Sequence, residues 1–137
     1  MSSAPERNQS PAAQRDSGSA QALYTACVLD RTALRHSEIA YEFEGHDHGG
    51  IGASVIVVDA PPGSGPRLHK HPYAEIFVVL AGQATFTAGE GEIVAVGGQM
   101  VVVPAGVPHT FVNSGTGPLR QVDIHPSGKF ITEWLDD

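Results

Sequence analysis

The stretch Gly63–Gly82, "GSGPRLHKHPYAEIFVVLAG", decides how the chain is read. Its second half, from Glu75 on, is a short run of β-branched, aromatic and aliphatic residues closed by a glycine, the pattern of one β-strand. Its first half places His69 and His71 two positions apart, with a carboxylate, Glu75, four residues after the second. Successive side chains on a strand point to opposite faces, so His69 and His71 project to the same side. Glu75 then opens an otherwise apolar strand. A carboxylate there is expensive to bury unless it is paired or bound to a cation. The cluster reads either as a polar loop or as a metal site.

Outward from this stretch the pattern stays β. The runs "LYTACVL" (23–29), "IAYEFEG" (39–45) and "GASVIVVDA" (52–60) precede it. "ATFTAG" (84–89), "EIVAVGG" (92–98), "MVVVPAG" (100–106), "HTFVNSG" (109–115) and "LRQVDIH" (119–125) follow it. Turn residues separate most of them, and the chain spreads 16 glycines and 10 prolines along its length. Roughly nine or ten short strands in a chain of 137 residues imply one antiparallel sandwich or barrel. The expected domain runs from 23 to 137. The tail "PSGKFITEWLDD" (126–137) spaces Phe130, Ile131, Trp134 and Leu135 as one helical face. A short C-terminal helix packed outside the barrel is therefore predicted.

Composition narrows the function. The formal net charge of −7 argues against nucleic acid and against anionic membrane surfaces as partners. The single cysteine, Cys27, excludes an intrachain disulfide and is read as a small buried apolar residue. Residues 1–22, rich in Ser, Ala, Pro and Gln, carry no apolar secretory segment and are expected to form a disordered arm. No apolar run approaches the ~20 residues needed to span a bilayer. The expected location is the cytoplasm.

A second unit lies downstream, in "PAGVPHTFVN". Pro104 and Gly106 shape a turn, and His109 opens the next strand with Phe111 and Asn113 on its side. Three imidazoles and a carboxylate are nitrogen and oxygen donors that suit Mn, Fe, Co, Ni, Cu or Zn, and not Ca or Mg.

These two units resemble the two motifs of the cupin superfamily, small jelly-roll β-barrels. The first motif, G-x5-H-x-H-x3,4-E-x6-G, is matched by Gly63, His69, His71, Glu75 and Gly82. The second, G-x5-P-x-G-x2-H-x3-N, is matched by Gly98, Pro104, Gly106, His109 and Asn113. Ten fixed positions, each about one in twenty by composition, make a chance match very improbable. The segment between the motifs is short, as in a minimal single-domain cupin. The resemblance implies an all-β jelly-roll barrel in which His69, His71, Glu75 and His109 hold one divalent transition metal. It also implies that the glycines and Pro104 shape turns, with Asn113 structural or outside the metal shell.

Other residues are candidates for the pocket. Tyr73 lies between the ligand strands. His46 and His48 in "GHDHGG" read as a pocket lid or second metal site, or else as an exposed hairpin turn. His125 ends a strand and either lines the barrel or caps the strand end. Phe77, Phe86 and Phe111 are expected in the barrel core, with Phe77 and Phe111 near the pocket. His36 reads as surface.

The resemblance implies a small-molecule substrate and a metal-dependent enzyme, a dioxygenase or other oxidoreductase in the first place, with Glu75 as a catalytic base. The alternatives are an isomerase or epimerase, a lyase or decarboxylase, and a non-catalytic binding module. A homodimer is expected, because a small barrel has edges to cover.

Overall fold

The computed structural model describes residues 25–135. The arm expected over residues 1–22 lies outside them. Ten strands form in chain order: Ala40–Glu44 (β1), Ser54–Ala60 (β2), His69–Lys70 (β3), Glu75–Ala81 (β4), Gln83–Ala88 (β5), Gly91–Val96 (β6), Met100–Val103 (β7), His109–Asn113 (β8), Leu119–His125 (β9) and Glu133–Trp134 (β10). Single 3-10 turns occupy Arg31–Leu34 and Gly45–His48. The strands make two five-stranded sheets, ordered β1-β2-β9-β4-β7 and β10-β3-β8-β5-β6. Every pairing is antiparallel. This is the jelly-roll arrangement expected from the sequence.

The two-residue period of a strand decides what lies between the sheets. In β4, Glu75, Phe77 and Val79 are buried while Ile76 and Leu80 face out. In β8, His109, Phe111 and Asn113 are buried. Phe77, Phe86 and Phe111 meet at the centre with ring centroids 4.9, 5.5 and 6.1 Å apart. Val79, Val101, Val103, Ala84 and Leu119 pack around them. The polar inward residues collect at one end of the strands, where Glu75 starts β4, His109 starts β8 and His125 ends β9.

The motif glycines Gly63, Gly82, Gly98 and Gly106 all take positive φ, a conformation that other residues adopt only at a cost. Gly82 combines φ 89 with close approach: a Cβ there would sit 2.4 Å from the Pro118 carbonyl oxygen. At Gly98, φ is 95 but nothing lies within 4 Å of such a Cβ. Gly98→Ala should therefore cost about 1 kcal/mol, while Gly82→Ala should cost clearly more, since backbone must also move. Urea unfolding of both variants checks this. Equal midpoints would show that the contact with Pro118 is unimportant.

The sequence reading needs three corrections. The C-terminal tail is not a helix: residues 126–132 are irregular and Glu133–Trp134 pair with β3. The main-chain groups that a helix would use internally are bonded elsewhere. Ile131 O faces His71 Nδ1 at 2.8 Å, and Leu135 N donates to Leu68 O at 3.1 Å. The segment Thr25–Leu29 forms no strand and is exposed. Cys27, in that segment, is exposed and not part of the core.

Candidate metal centre

Strand pairing brings the two motifs together. His69 in β3 sits directly opposite His109 in β8. His71 follows β3, and Glu75 enters from the start of β4 in the facing sheet. The result is a cluster of four buried residues, His69, His71, Glu75 and His109, whose donor atoms all lie within 4.8 Å of one another. Glu75 Oε1 is 3.1 Å from His71 Nε2 and 3.1 Å from His109 Nε2.

The outer nitrogen of each ring is fixed by main chain. His69 Nδ1 is 2.6 Å from Arg67 O, His71 Nδ1 is 2.8 Å from Ile131 O, and His109 Nδ1 is 2.8 Å from Val107 O. A carbonyl only accepts, so each Nδ1 carries the hydrogen and each neutral ring presents a bare Nε2 lone pair to the centre. Such outward bonds are what orient metal-ligating histidines. His71 Nε2 is buried with no hydrogen-bond partner, despite its short distance to Glu75. Lone pairs on nitrogen thus face a carboxylate, an arrangement that repels unless a cation or protons lie among them. A metal 2.0–2.2 Å from each donor would set neighbouring donors about 3 Å apart, which the 3.1 Å separations meet. The residues present fit a divalent transition metal.

Burial pushes the Glu75 carboxyl up, but the imidazoles of His109, His125 and His71 outweigh it and hold the group well below the usual carboxylate range. Burial pushes His69 down to about 4, so it stays neutral and ready to coordinate near pH 7. For His109, burial lowers the value, but contact with Glu75 and the Val107 carbonyl wins and raises it.

These shifts set a pH dependence for the metal-free fold. Between pH 6.5 and about 4, the unfolded His69 takes up a proton that the folded ring refuses, so stability falls as pH drops through that window. Glu75, whose value is depressed, adds a loss as pH falls through and below 4.5. His109 acts oppositely: its contribution is complete below 6.5 and is lost as pH rises through its folded value. Asp123, whose buried carboxyl is raised well above its usual range, acts in the same direction as His109 and gains stability as pH falls toward 3.8, so the losses prevail only at low pH and metal-free protein should have a lower urea midpoint near pH 3 than near pH 4. An unchanged or higher midpoint at the lower pH would contradict this.

His125 joins the site from β9. Its Nε2 is 2.9 Å from Glu75 Oε2 and its Nδ1 is 2.7 Å from the Tyr73 hydroxyl. That hydroxyl accepts from Ile131 N at 3.1 Å, so its own hydrogen is directed to His125 Nδ1. Tyr73 thus supports His125 rather than lining the cavity. Phe77, Phe111 and His125 border the cavity beside His69, His71 and Glu75, and His36 also borders it. His46 and His48 do not border it. They sit on the 3-10 turn Gly45–His48, where His46 is exposed and His48, half-buried, stacks on Phe43 at 4.5 Å, so the pocket-lid reading of this pair is not met. Asn113 is structural: its amide donates to Ala60 O and Gly117 O, and its oxygen accepts from Gly115 N.

The cavity encloses about 370 Å³. The C-terminal segment closes one side of it. Phe130 packs edge-on to His125 at 4.8 Å, and Trp134 lies 5.0 Å from His69 with the Arg67 guanidinium over its ring at 4.9 Å. The sequence reading did not place Phe130, Trp134, Arg67 or Asp123 at the site. Nothing in their spacing marks them, because their position follows from the path of the tail and from the inward face of β9.

A family model for the cupin domain matches residues 56–125, about half of the chain. The chain belongs to the cupin family. The xanthan biosynthesis protein XanB of Xanthomonas campestris pv. campestris is 31% identical over 77 residues, covering 56% of this chain and 16% of that protein. A variant of Bacillus subtilis oxalate decarboxylase OxdC superposes with a TM-score of 0.64 at 22% identity, over 73% of this chain and 29% of that one. An oxalate oxidase superposes with a TM-score of 0.62 at 23% identity, over 70% of this chain and 54% of that one. This chain therefore spans a fraction of each relative, and at these identities the two structures speak for the fold alone.

Proposed function

We propose that this protein is a metal-dependent cupin acting on a small oxygenated organic molecule, with an oxidation of the dioxygenase or oxidase kind as the first reading. One observation carries it: three imidazole Nε2 atoms, each locked by a carbonyl behind it, converge with Glu75, and His69, His71 and Glu75 border a cavity of about 370 Å³. His69, His71, Glu75 and His109 would hold one divalent ion among Mn, Fe, Co, Ni, Cu and Zn. Such an ion supplies Lewis acidity and, where it is redox-active, electron exchange with dioxygen. The B. subtilis oxalate decarboxylase has Mn(II) centres, which supports a divalent ion and an oxygen-rich substrate. The walls are largely apolar, including Ile56, Val58, Phe77 and Phe111. A volume of about 370 Å³ suits a molecule larger than a two-carbon diacid.

Its depressed carboxyl favours Glu75 as a ligand over Glu75 as the catalytic base. That favours a different pair for proton handling, His125 with Tyr73 behind it, and supports a second reading in which an isomerase, epimerase, lyase or decarboxylase moves a proton without dioxygen. Protein loaded with Fe or Mn and offered enediols, diketones and catechols decides between them. Dioxygen uptake with any of these is the expected result. Substrate deuterium exchange without uptake would replace the first reading by the second, and neither signal would leave a binding module.

The expected homodimer has a candidate surface. Ile76, Leu80, Met100 and Val102 are exposed on the outer face of β4 and β7, and a second copy would cover them. Among the described residues no helix is long and apolar enough to cross a membrane.

A further inference from the structure

Strand β9 turns polar residues inward. Gln121, Asp123 and His125 are each at most 3% exposed. His125 belongs to the Glu75 cluster, but Asp123 does not. It pairs with Phe77 across the β4–β9 ladder and borders the same cavity as His69, His71 and Glu75. Its Oδ1 accepts a 2.8 Å hydrogen bond from Gln121 Nε2. Its Oδ2 has no hydrogen-bond partner, and no cation pairs with the group, among the described residues.

A buried carboxylate with one neutral donor and no cation is far costlier than the corresponding acid. Burial pushes the Asp123 carboxyl well above its ordinary range, the charge of Glu75 adds to the rise, and the Gln121 amide opposes it only in part. The acid form has one O–H. Gln121 donates to Oδ1 and so marks it as the carbonyl oxygen, which leaves the hydrogen on Oδ2.

We propose that Asp123 is a neutral carboxylic acid in the cavity wall, and that its Oδ2 hydroxyl donates a hydrogen bond to an anionic oxygen of a carboxylate or enolate ligand with an apolar body. The apolar body matches Ile56, Val58, Phe77 and Phe111, which share that cavity. An O–H donor selects ligands that accept there. A cationic ligand finds no counter-charge at Asp123 and loses its own hydration. The proposal rests on the cavity being the ligand site of the proposed function, and it adds a determinant of specificity away from the metal donors.

Benzoate and benzamidine test it, because they share shape and differ in charge and in hydrogen-bonding direction. Binding of each to the full-length protein is measured calorimetrically at neutral pH, with and without zinc. Infrared difference spectra of the same samples read the carbonyl stretch of a protonated carboxyl. Benzoate should bind and shift a carboxylic-acid band that Asp123→Asn removes, whereas benzamidine, which the Glu75 and Glu42 carboxylates of the same cavity can hold, should leave that band unshifted. Asp123→Asn, which keeps a donor, should hold benzoate within about threefold, and Asp123→Leu should weaken it about tenfold or more in the zinc-free protein. A shift of the band by benzamidine, no binding of benzoate, or absence of the band in the wild-type protein would each overturn the proposal. Zinc uptake is read separately. A protein that takes no zinc yet gives the benzoate and infrared results loses the metal reading and keeps the role of Asp123.

Discussion

His109→Ala should empty the metal site. His109 supplies one donor and lies opposite His69 across the β3–β8 pairing, so its loss opens the shell at its centre. Substituting groups that merely support a ligand costs about 10–100-fold in metal affinity, and removal of a ligand should exceed the upper end of that range. A second effect comes from Glu75. Its carboxylate is 2% exposed, and His109 Nε2 is one of the nitrogens 3.1 Å from it. Removing a partner from a buried ionic group costs about 3–5 kcal/mol, so the metal-free variant should also unfold at lower urea. The matched control replaces His46 and His48 together. Both sit on the turn Gly45–His48, away from the cavity, and metal content should stay at the wild-type level. Elemental analysis of both proteins is the measurement. A full site in His109→Ala beside an empty one in the double variant would reverse the assignment.

Phe86→Ala should give the largest loss of stability from a residue that touches no metal donor. Phe86 is 0% exposed and packs against Phe77 at 4.9 Å and Phe111 at 5.5 Å, so it joins the two sheets. Truncating such a ring removes its transfer free energy and leaves a cavity, about 3–5 kcal/mol in all. For a chain of this size the melting temperature should fall by on the order of 10 °C or more. Val112→Ala, on the outward face of β8, should change stability by no more than about 0.5 kcal/mol. Thermal unfolding followed by circular dichroism checks both. A small effect at Phe86 would mean that the aromatic centre collapses around the void.

The strands of the barrel and the four metal donors were legible because each left a mark in one dimension. Alternation in "EIFVVL" places Phe77 and Val79 inward, and the fixed spacings around His69 and His109 place the donors at strand ends. The tail was not legible. Phe130 and Trp134 are four apart, which suits a helix, yet an extended segment also lays both on the barrel when its main chain bonds to His71 and Leu68. The inward face of strand β9 was hard to read for another reason. Val122 and Ile124 suggest the inward face of "LRQVDIH", whereas Gln121, Asp123 and His125 occupy it. A polar inward face breaks the hydrophobic pattern, and such breaks concentrate at functional sites. Two-residue strands such as β3 and β10 are too short to show a period at all.

The most direct test of the metal centre is the metal content of protein purified without chelating reagents, measured together with the titration of a metal-free sample by Mn, Fe, Co, Ni and Zn. The expected result is one divalent ion per chain, bound at neutral pH, released on acidification and absent from His109→Ala. A protein that binds none of these ions at neutral pH, or binds one equally well without His109, would contradict the account.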